Sequence, residues 1–292
     1  MGPMTPGSIS LADKLASARA KLVEAGIRAD EATIDVDVYA RTILEWDRAT
    51  LLANLREPAP PQLEPRFSDW TSRRERREPT AYIVGKREFW GRDFLVTPAV
   101  LVPRPETEFI VQEALALTIG AAAPRIADIG TGSGILAVTL AAELPYATVV
   151  ATDLSGEALV VARENGERLG VAGRMTFVRT SYLDDVDGPF DLIVANPPYV
   201  RDSDKSALAR DVRHEPDVAL FGGPDGLRDV GGVLDAAVAK LKAGGWFVME
   251  FGYGQEDDVR RLVDARASLR LDHIRDDLQG IARTAIMRRN PI

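Results

Sequence analysis

Apolar positions in residues 8–77 recur at helical spacing. In SLADKLASARAKLVEAG, Leu11, Leu15, Ala18 and Leu22 fall three or four residues apart, on one face of a helix. Ser10 stands where an N-cap hydroxyl would accept from the first turn, and Gly26 where a left-handed residue would close the last one. A second amphipathic run, EATIDVDVYARTIL, is expected to start on Asp30 as its cap. DRATLLANL and PPQLEPRFSDWTSRRERRE predict a third and a fourth helix, punctuated by Pro58, Pro60 and Pro61. Residues 1–78 are therefore expected to form a small helical bundle.

The period changes near Pro79. REFWGRDFLVTP holds two short β-type runs around Gly91, a hairpin signal, and residues 79–101 read as a connector. In VLVPRPETEFIVQEALALTI, turn-forming residues precede a helix for which Thr107 is the expected cap. From Arg125 onward, the apolar runs RIADIG, TVVATD, MTFVRT, FDLIVANP and GWFVMEFG alternate with helical patterns. Short apolar strands separated by helices predict a parallel sheet covered on both faces. LRLDHIRD and ARTAIMRR flank a glycine-containing turn, so the sheet is expected to end in an antiparallel hairpin. The fold class is thus α/β, a Rossmann-like, mostly parallel sheet over residues 102–292 preceded by the bundle and the hairpin.

Composition narrows the roles open to such a chain. Hydrophobic residues make up 46% and charged residues 27%, an ordinary globular balance. No apolar stretch approaches the roughly 20 residues that span a bilayer. The start, MGPMTPGSIS, lacks the regions of a signal peptide, and Gly2 lacks the Ser or Thr spacing of a myristoylation site. Cysteine is absent, which removes disulfides, thiolate catalysis and Cys-ligated zinc, and fits a cytoplasmic location. With His214 and His273 as the only histidines, no metal site is expected. A net charge of −8 disfavours a protein that grips nucleic acid through phosphates. The one basic run, RRERR at Arg73–Arg77, reads as the solvated face of a helix.

Candidate chemistry begins at ADIGTGSGILAV, between the first parallel strand and its helix. Glycines at 130, 132 and 134 let the backbone turn sharply and lie against a ligand, and the helix start offers free N–H groups. The loop Gly130, Thr131, Gly132, Ser133, Gly134 is the expected cofactor cradle. Asp153, followed by Leu154, closes the next strand where a carboxylate accepts from both hydroxyls of a ribose. Loop and acid alone fit a dinucleotide or S-adenosylmethionine equally, since GSGILA also satisfies the dehydrogenase fingerprint. Asp128 favours the second: its charge is awkward beside a pyrophosphate and suits the ammonium of a methionine moiety, directly or through water. Its alternative role is to hold the loop by hydrogen bonds.

The stretch FDLIVANPPYV ends an apolar strand in an amide, two prolines and a phenol. In open α/β sheets ligands bind outside such strand ends. Pro197 biases Asn196 to an extended conformation, and Pro197 and Pro198 add carbonyls but no N–H groups. The result is a rigid array of acceptors, the Asn196 side-chain oxygen and a backbone carbonyl, suited to a planar NH₂ group. Tyr199 is expected to offer a flat face for stacking. This points to methyl transfer to a planar nitrogen, with Asn196 also bordering the cofactor. A stiff turn after a strand is the structural alternative.

Together these motifs resemble class I S-adenosylmethionine-dependent methyltransferases. EPTAYIVGKREFWGRDFLVTPAVLVPRPETE (78–108), HEPDVALFGGPDGL (214–227) and GGWFVMEFGYGQ (244–255) resemble the HemK/PrmC family of release-factor glutamine methyltransferases, from about residue 10 to the end. The resemblance implies methylation of the glutamine side-chain nitrogen in the GGQ motif of class I peptide-chain release factors. It implies that Asn196 and the Pro197 carbonyl hold the amide with Tyr199 beside it, and that the Gly130–Gly134 loop and Asp153 bind the cofactor. The helical bundle would help dock the release factor. PRPETE, Pro103 to Glu108, would lie near the pocket.

The chain departs from the family where Asp-Trp commonly follows the third strand. Here Ser181 and Tyr182 stand, so Tyr182 is expected to border the adenine, with Asp184 the substitute carboxylate. His214 reads as a structural loop residue, His273 as a surface residue, and Glu250 as a possible pocket residue without catalytic role. A monomer is expected, without stable nucleic-acid or membrane partners. The competing readings are a DNA or RNA base-amine methyltransferase, a nicotinamide dehydrogenase and a binding module without activity.

Overall fold

The computed structural model describes residues 9–291. The expectation of no signal peptide falls chiefly on residues 1–8, outside the described residues. The chain divides into two compact units, one running to Gly85 and including Arg210–His214, the other comprising Lys86–Ala209 and Glu215 onward. Among the described residues no helix is long and apolar enough to cross a membrane.

The first unit contains α1 (Leu11–Glu24), α2 (Ala29–Leu44), α3 (Arg48–Ala53), α4 (Arg66–Glu75) and α5 (Thr80–Val84). The Ser10 side chain caps α1 by accepting from Asp13 N, as its position predicts. Arg28, not Asp30, occupies the N-cap of α2, and Asp30 lies in the first turn, where a carboxylate still meets the positive end of the helix dipole. Leu11, Ala18 and Leu22 of the face read from the spacing are buried with Ile27, Val36, Tyr39, Leu51, Leu63 and Phe67, and Leu15 packs against them partly buried. The short helix α5 lies where the sequence suggested only a connector.

RRERR is not a solvated face. Arg74 is 3% exposed, and its Nε donates to Asp35 Oδ2 at 2.7 Å. Thr80 Oγ1 donates to Asp35 Oδ1 at 2.6 Å and lies 3.0 Å from the Tyr39 hydroxyl. Glu31 and Asp211 stand 3.4 and 3.8 Å from the Arg74 guanidinium. Arg73 pairs with Glu78, and Arg77 donates to the Ala25 carbonyl. A buried guanidinium needs such partners, because removing it from water costs several kcal/mol.

The second unit opens with the predicted hairpin, β1 (Lys86–Phe89) and β2 (Arg92–Leu95). Its Phe89 and Phe94 enter the core of this unit, and Asn165 bonds both the N–H and the carbonyl of Leu95. There follow α6 (Glu108–Leu117), β3 (Arg125–Ile129), α7 (Ile135–Glu143), β4 (Thr148–Asp153), α8 (Gly156–Arg168), β5 (Met175–Arg179) and β6 (Phe190–Ala195). Then come α9 (Asp217–Leu220), α10 (Arg228–Lys240), β7 (Leu241–Glu250), α11 (Glu256–Asp264), β8 (Leu269–Asp276) and β9 (Ala282–Arg289).

The sheet runs β5-β4-β3-β6-β7-β9-β8, parallel from β5 to β7 and closed by the expected antiparallel hairpin. Side chains alternate between its faces. Ile126, Leu192, Val194 and Val248 pack with α6 and α7, while Ala127, Ile129, Ile193 and Phe247 pack with α10 and α11. Both faces are dry, which is why these strands read as continuous apolar runs. Strand order reverses between β3 and β6, and the crevice at that point is where an α/β sheet takes its ligand.

Candidate active site

A cavity of about 340 Å³ lies at the carboxyl ends of β3, β4 and β6, within the size range of small-molecule sites. Gly130, Thr131, Gly132 and Ser133 form one wall. Gly134 opens α7 and is not among the lining residues. Asp128 lies beneath this loop and is also absent from the lining. Its Oδ2 accepts from Thr131 Oγ1 at 2.6 Å and Ala137 N at 3.1 Å, so it does hold the loop. Its Oδ1 is buried without a partner among the described residues. Burial pushes this carboxyl up to about 7, opposed by the bonds from Thr131 and Ala137 and reinforced by Asp153.

Asp153 and Leu154 form part of a second wall. Asp153 Oδ2 accepts from Gly132 N at 2.9 Å and Oδ1 from Ser155 N at 2.8 Å, which ties the glycine loop to the end of β4. Burial raises its carboxyl, against the pull of these backbone bonds. Each oxygen retains a lone pair for a vicinal diol.

Tyr182 borders the same cavity with a left-handed φ of 46°, a conformation costly for a non-glycine residue. Two bonds hold it there. Its carbonyl accepts from Thr152 Oγ1 at 2.7 Å, and its hydroxyl donates to Asp229 Oδ1 at 3.0 Å. Burial and Asp229 push the phenol up to about 12. Gly232 on α10 makes room for the ring, since a Cβ there would stand 2.2 Å from Tyr182 Cζ. Ser181 and Asp184 are not among the lining residues; the carboxylate that lines the cavity near Tyr182 is Asp229.

Asn196, Pro197 and Pro198 form the third wall. Asn196 Nδ2 donates to Thr107 Oγ1 at 3.2 Å. Thr107 makes no capping bond to α6; its hydroxyl donates to Glu250 Oε2 at 2.8 Å, because a buried carboxylate is the stronger acceptor. The Tyr199 hydroxyl donates to Glu250 Oε1 at 3.1 Å. Tyr199 and Glu250 are not among the lining residues. Burial pushes the Glu250 carboxyl upward, and the Thr107 and Tyr199 bonds work against it. The Tyr199 phenol is also raised, by burial and then by Glu250.

The loop after Asn196 is held by distant segments. A Cβ on Gly226, where φ is 73°, would stand 2.3 Å from the Tyr199 carbonyl oxygen. Gln255 Nε2 donates to that oxygen at 3.1 Å. Of the segment Pro103 to Glu108, placed near the pocket by the resemblance, Pro103, Arg104 and Thr107 line the cavity; Asp229 was missed. Arg104 pairs with the buried Glu215, which also accepts from Val102 N at 2.9 Å. PRPETE offered the one signal, through the resemblance; Asp229 had none, being one acid in the first turn of a helix. His214 belongs to the first unit, and His273 is exposed on β8.

A glycine loop, a carboxylate at the end of β4 and an Asn-Pro-Pro-Tyr segment after β6, at the switch point of a parallel sheet, define a methyltransferase dependent on S-adenosylmethionine. The chain matches the family model of the Methyltransferase small domain over residues 107–219 and that of the PrmC N-terminal domain over residues 13–85. A methyltransferase from Pyrococcus furiosus shares the fold, with a TM-score of 0.51 at 20% identity over 70% of this chain and 91% of that one. The release factor glutamine methyltransferase of Bradyrhizobium diazoefficiens is 39% identical, over 99% of this chain and 97% of its own length. That of Cereibacter sphaeroides is 41% identical, over 92% of this chain and 95% of its own. The chain belongs to the release factor glutamine methyltransferase family.

Proposed function

We propose that this protein transfers a methyl group from S-adenosylmethionine to the side-chain amide nitrogen of the glutamine in the GGQ motif of class I peptide-chain release factors. The observation that carries the reading is Asn196. It follows β6 at the cavity with its Nδ2 already donating to Thr107, which leaves its oxygen as the end that can meet a substrate. The relatives at about 40% identity carry the glutamine methyltransferase name and supply the substrate.

The cavity fits the cofactor. Asp128 Oδ1 is a buried acceptor that lacks a donor, Asp153 has free lone pairs for a ribose, and Tyr182 supplies an aromatic edge. When bound, S-adenosylmethionine supplies an electrophilic methyl carbon on sulfur. Asn196 Oδ1 and the Pro197 carbonyl accept the two N–H bonds of the glutamine amide, with Pro198 stiffening the turn. An amide nitrogen is a weak nucleophile because its lone pair is delocalised. Holding both N–H bonds aims that lone pair at the methyl carbon, and positioning alone can lower a barrier by roughly 7–11 kcal/mol in the best cases. With the cofactor bound, the C–N bond would form as the S–C bond breaks, and the extra proton would leave to solvent, so no strong base would be needed. Tyr199 acts behind the site, through Glu250.

The helical unit is assigned to docking the release factor, and the protein to the cytoplasm as a monomer without a stable nucleic-acid partner, in keeping with a net charge of −8. The test is methyl transfer from labelled S-adenosylmethionine to a purified class I release factor. Label on the wild-type factor and none on a Gln→Ala variant of its GGQ motif is expected. An unlabelled wild-type factor, with cofactor bound and enzyme folded, refutes the assignment.

A further inference from the structure

We propose that Glu250 and Thr107 fix which end of the Asn196 carboxamide faces the substrate, and so make the site selective for an NH₂ group over an isosteric acceptor. The inference rests on the reading of Asn196 as the residue that receives the substrate amide.

The argument follows single protons. Glu250 is 2% exposed at the end of β7, and both of its oxygens accept, Oε2 from Thr107 and Oε1 from Tyr199. Thr107 has one hydroxyl proton, and Glu250 Oε2 takes it at 2.8 Å. The Thr107 oxygen can then only accept, and what it accepts is an Asn196 Nδ2 proton at 3.2 Å. A carboxamide has its nitrogen at one end and its oxygen at the other. With the nitrogen held inward, Oδ1 is the end left for the cavity. Tyr199 also has one hydroxyl proton, and Glu250 Oε1 takes it at 3.1 Å, so no phenol proton is left for the substrate. Glu250 thus acts as a polarity reference for both ends of the Asn-Pro-Pro-Tyr segment, through residues 143 and 51 positions away.

With the Asn196 Oδ1 and the Pro197 carbonyl turned to the substrate, this end of the site favours an NH₂ group and opposes a glutamate carboxylate of the same shape. Thr107 and Glu250 are positioning residues. Neither needs to touch the transferred methyl group.

The test combines turnover with the discrimination of glutamine from glutamate. Thr107→Val keeps the shape of the side chain but removes its oxygen, so Asn196 loses its inward acceptor and can rotate. The expected result is a fall in kcat of about ten- to hundredfold, with S-adenosylmethionine affinity unchanged within about twofold. Thr107→Ser, which restores the hydroxyl, is expected to return kcat to within about threefold of wild type. The release factor with its GGQ glutamine changed to glutamate serves as competitive inhibitor, and its inhibition constant relative to the glutamine form is expected to improve on Thr107→Val. A merely structural threonine would not move that ratio. Glu250→Gln keeps the packing but has one donor end, so it is expected to lower kcat and to add nothing to the loss already caused by Thr107→Val.

Full kcat on Thr107→Val, an unchanged glutamate-to-glutamine ratio, or additive losses in the double variant would overturn the proposal. Asn196→Ala separates the two levels. If it is inactive while Thr107→Val is normal, the relay is wrong and the role of Asn196 stands. If Asn196→Ala turns over normally, the underlying reading of the site has failed.

Discussion

Exchanging Asp128 for Asn removes a titratable carboxyl from beneath the glycine loop and changes the shape of the side chain little. In the cofactor-free protein, burial holds this carboxyl at about 7, against an ordinary 3.8. At about 1.4 kcal/mol per pKa unit, that gap corresponds to as much as about 4 kcal/mol of folding free energy. The folded state holds the proton more tightly than the unfolded chain. Stability is therefore undiminished below the unfolded pKa of 3.8 and is lost as pH rises through the folded value of about 7. An amide does not titrate. The advantage of Asp128→Asn over wild type thus grows from near zero around pH 4 to as much as about 4 kcal/mol near pH 8, measured as urea midpoints without cofactor.

Cofactor binding is expected to move the other way. On the proposed reading the unpartnered Oδ1 would meet the cofactor ammonium, directly or through water, and an amide in its place would lose the charge that neutralises it. Affinity for S-adenosylmethionine, read by calorimetry near pH 8, is expected to fall about ten- to hundredfold. Wild-type affinity is expected to weaken as pH drops below about 7, where Asp128 protonates, while the variant stays flat. Equal unfolding midpoints of the two proteins near pH 8 would refute the buried charge; unchanged cofactor affinity would refute its role toward the ammonium.

Other substitutions probe the rest of the structure. Gly232→Ala places a Cβ 2.2 Å from Tyr182 Cζ and must displace that ring; cofactor affinity is expected to fall although Ala favours the helix by about 1 kcal/mol, and unchanged affinity in a calorimetric titration would refute it. Gly226→Ala meets the Tyr199 carbonyl at 2.3 Å and forces a strained φ; methyl transfer is expected to drop at least about tenfold while cofactor still binds. Asp35→Ala leaves the Arg74 guanidinium buried with Glu31 and Asp211 as weaker partners. The loss, read by urea unfolding, is expected near the low end of roughly 3–5 kcal/mol, and a change below about 1 kcal/mol would contradict the buried pair.

Local pattern alone determined the first four helices of the first unit, the hairpin around Gly91, the alternation of strands and helices and the antiparallel end of the sheet. It also singled out the glycine loop, Asp153 and the Asn196 strand end. These are legible because periodicity, capping and turn chemistry act over a few residues. What the sequence could not reveal is which distant groups meet. Thr107 has the local signature of a helix cap, yet its proton goes to Glu250, 143 residues away. RRERR has the look of a solvated face, yet Asp35, 39 residues earlier, draws Arg74 into the interior. The three stretches that carry the family resemblance lie far apart in the chain. In the structure each sends a residue to the same loop, Thr107 to Asn196, Gly226 against Tyr199, and Glu250 and Gln255 to Tyr199. A buried proton or charge takes whatever partner the packing brings within reach, and no spacing along the chain records that choice.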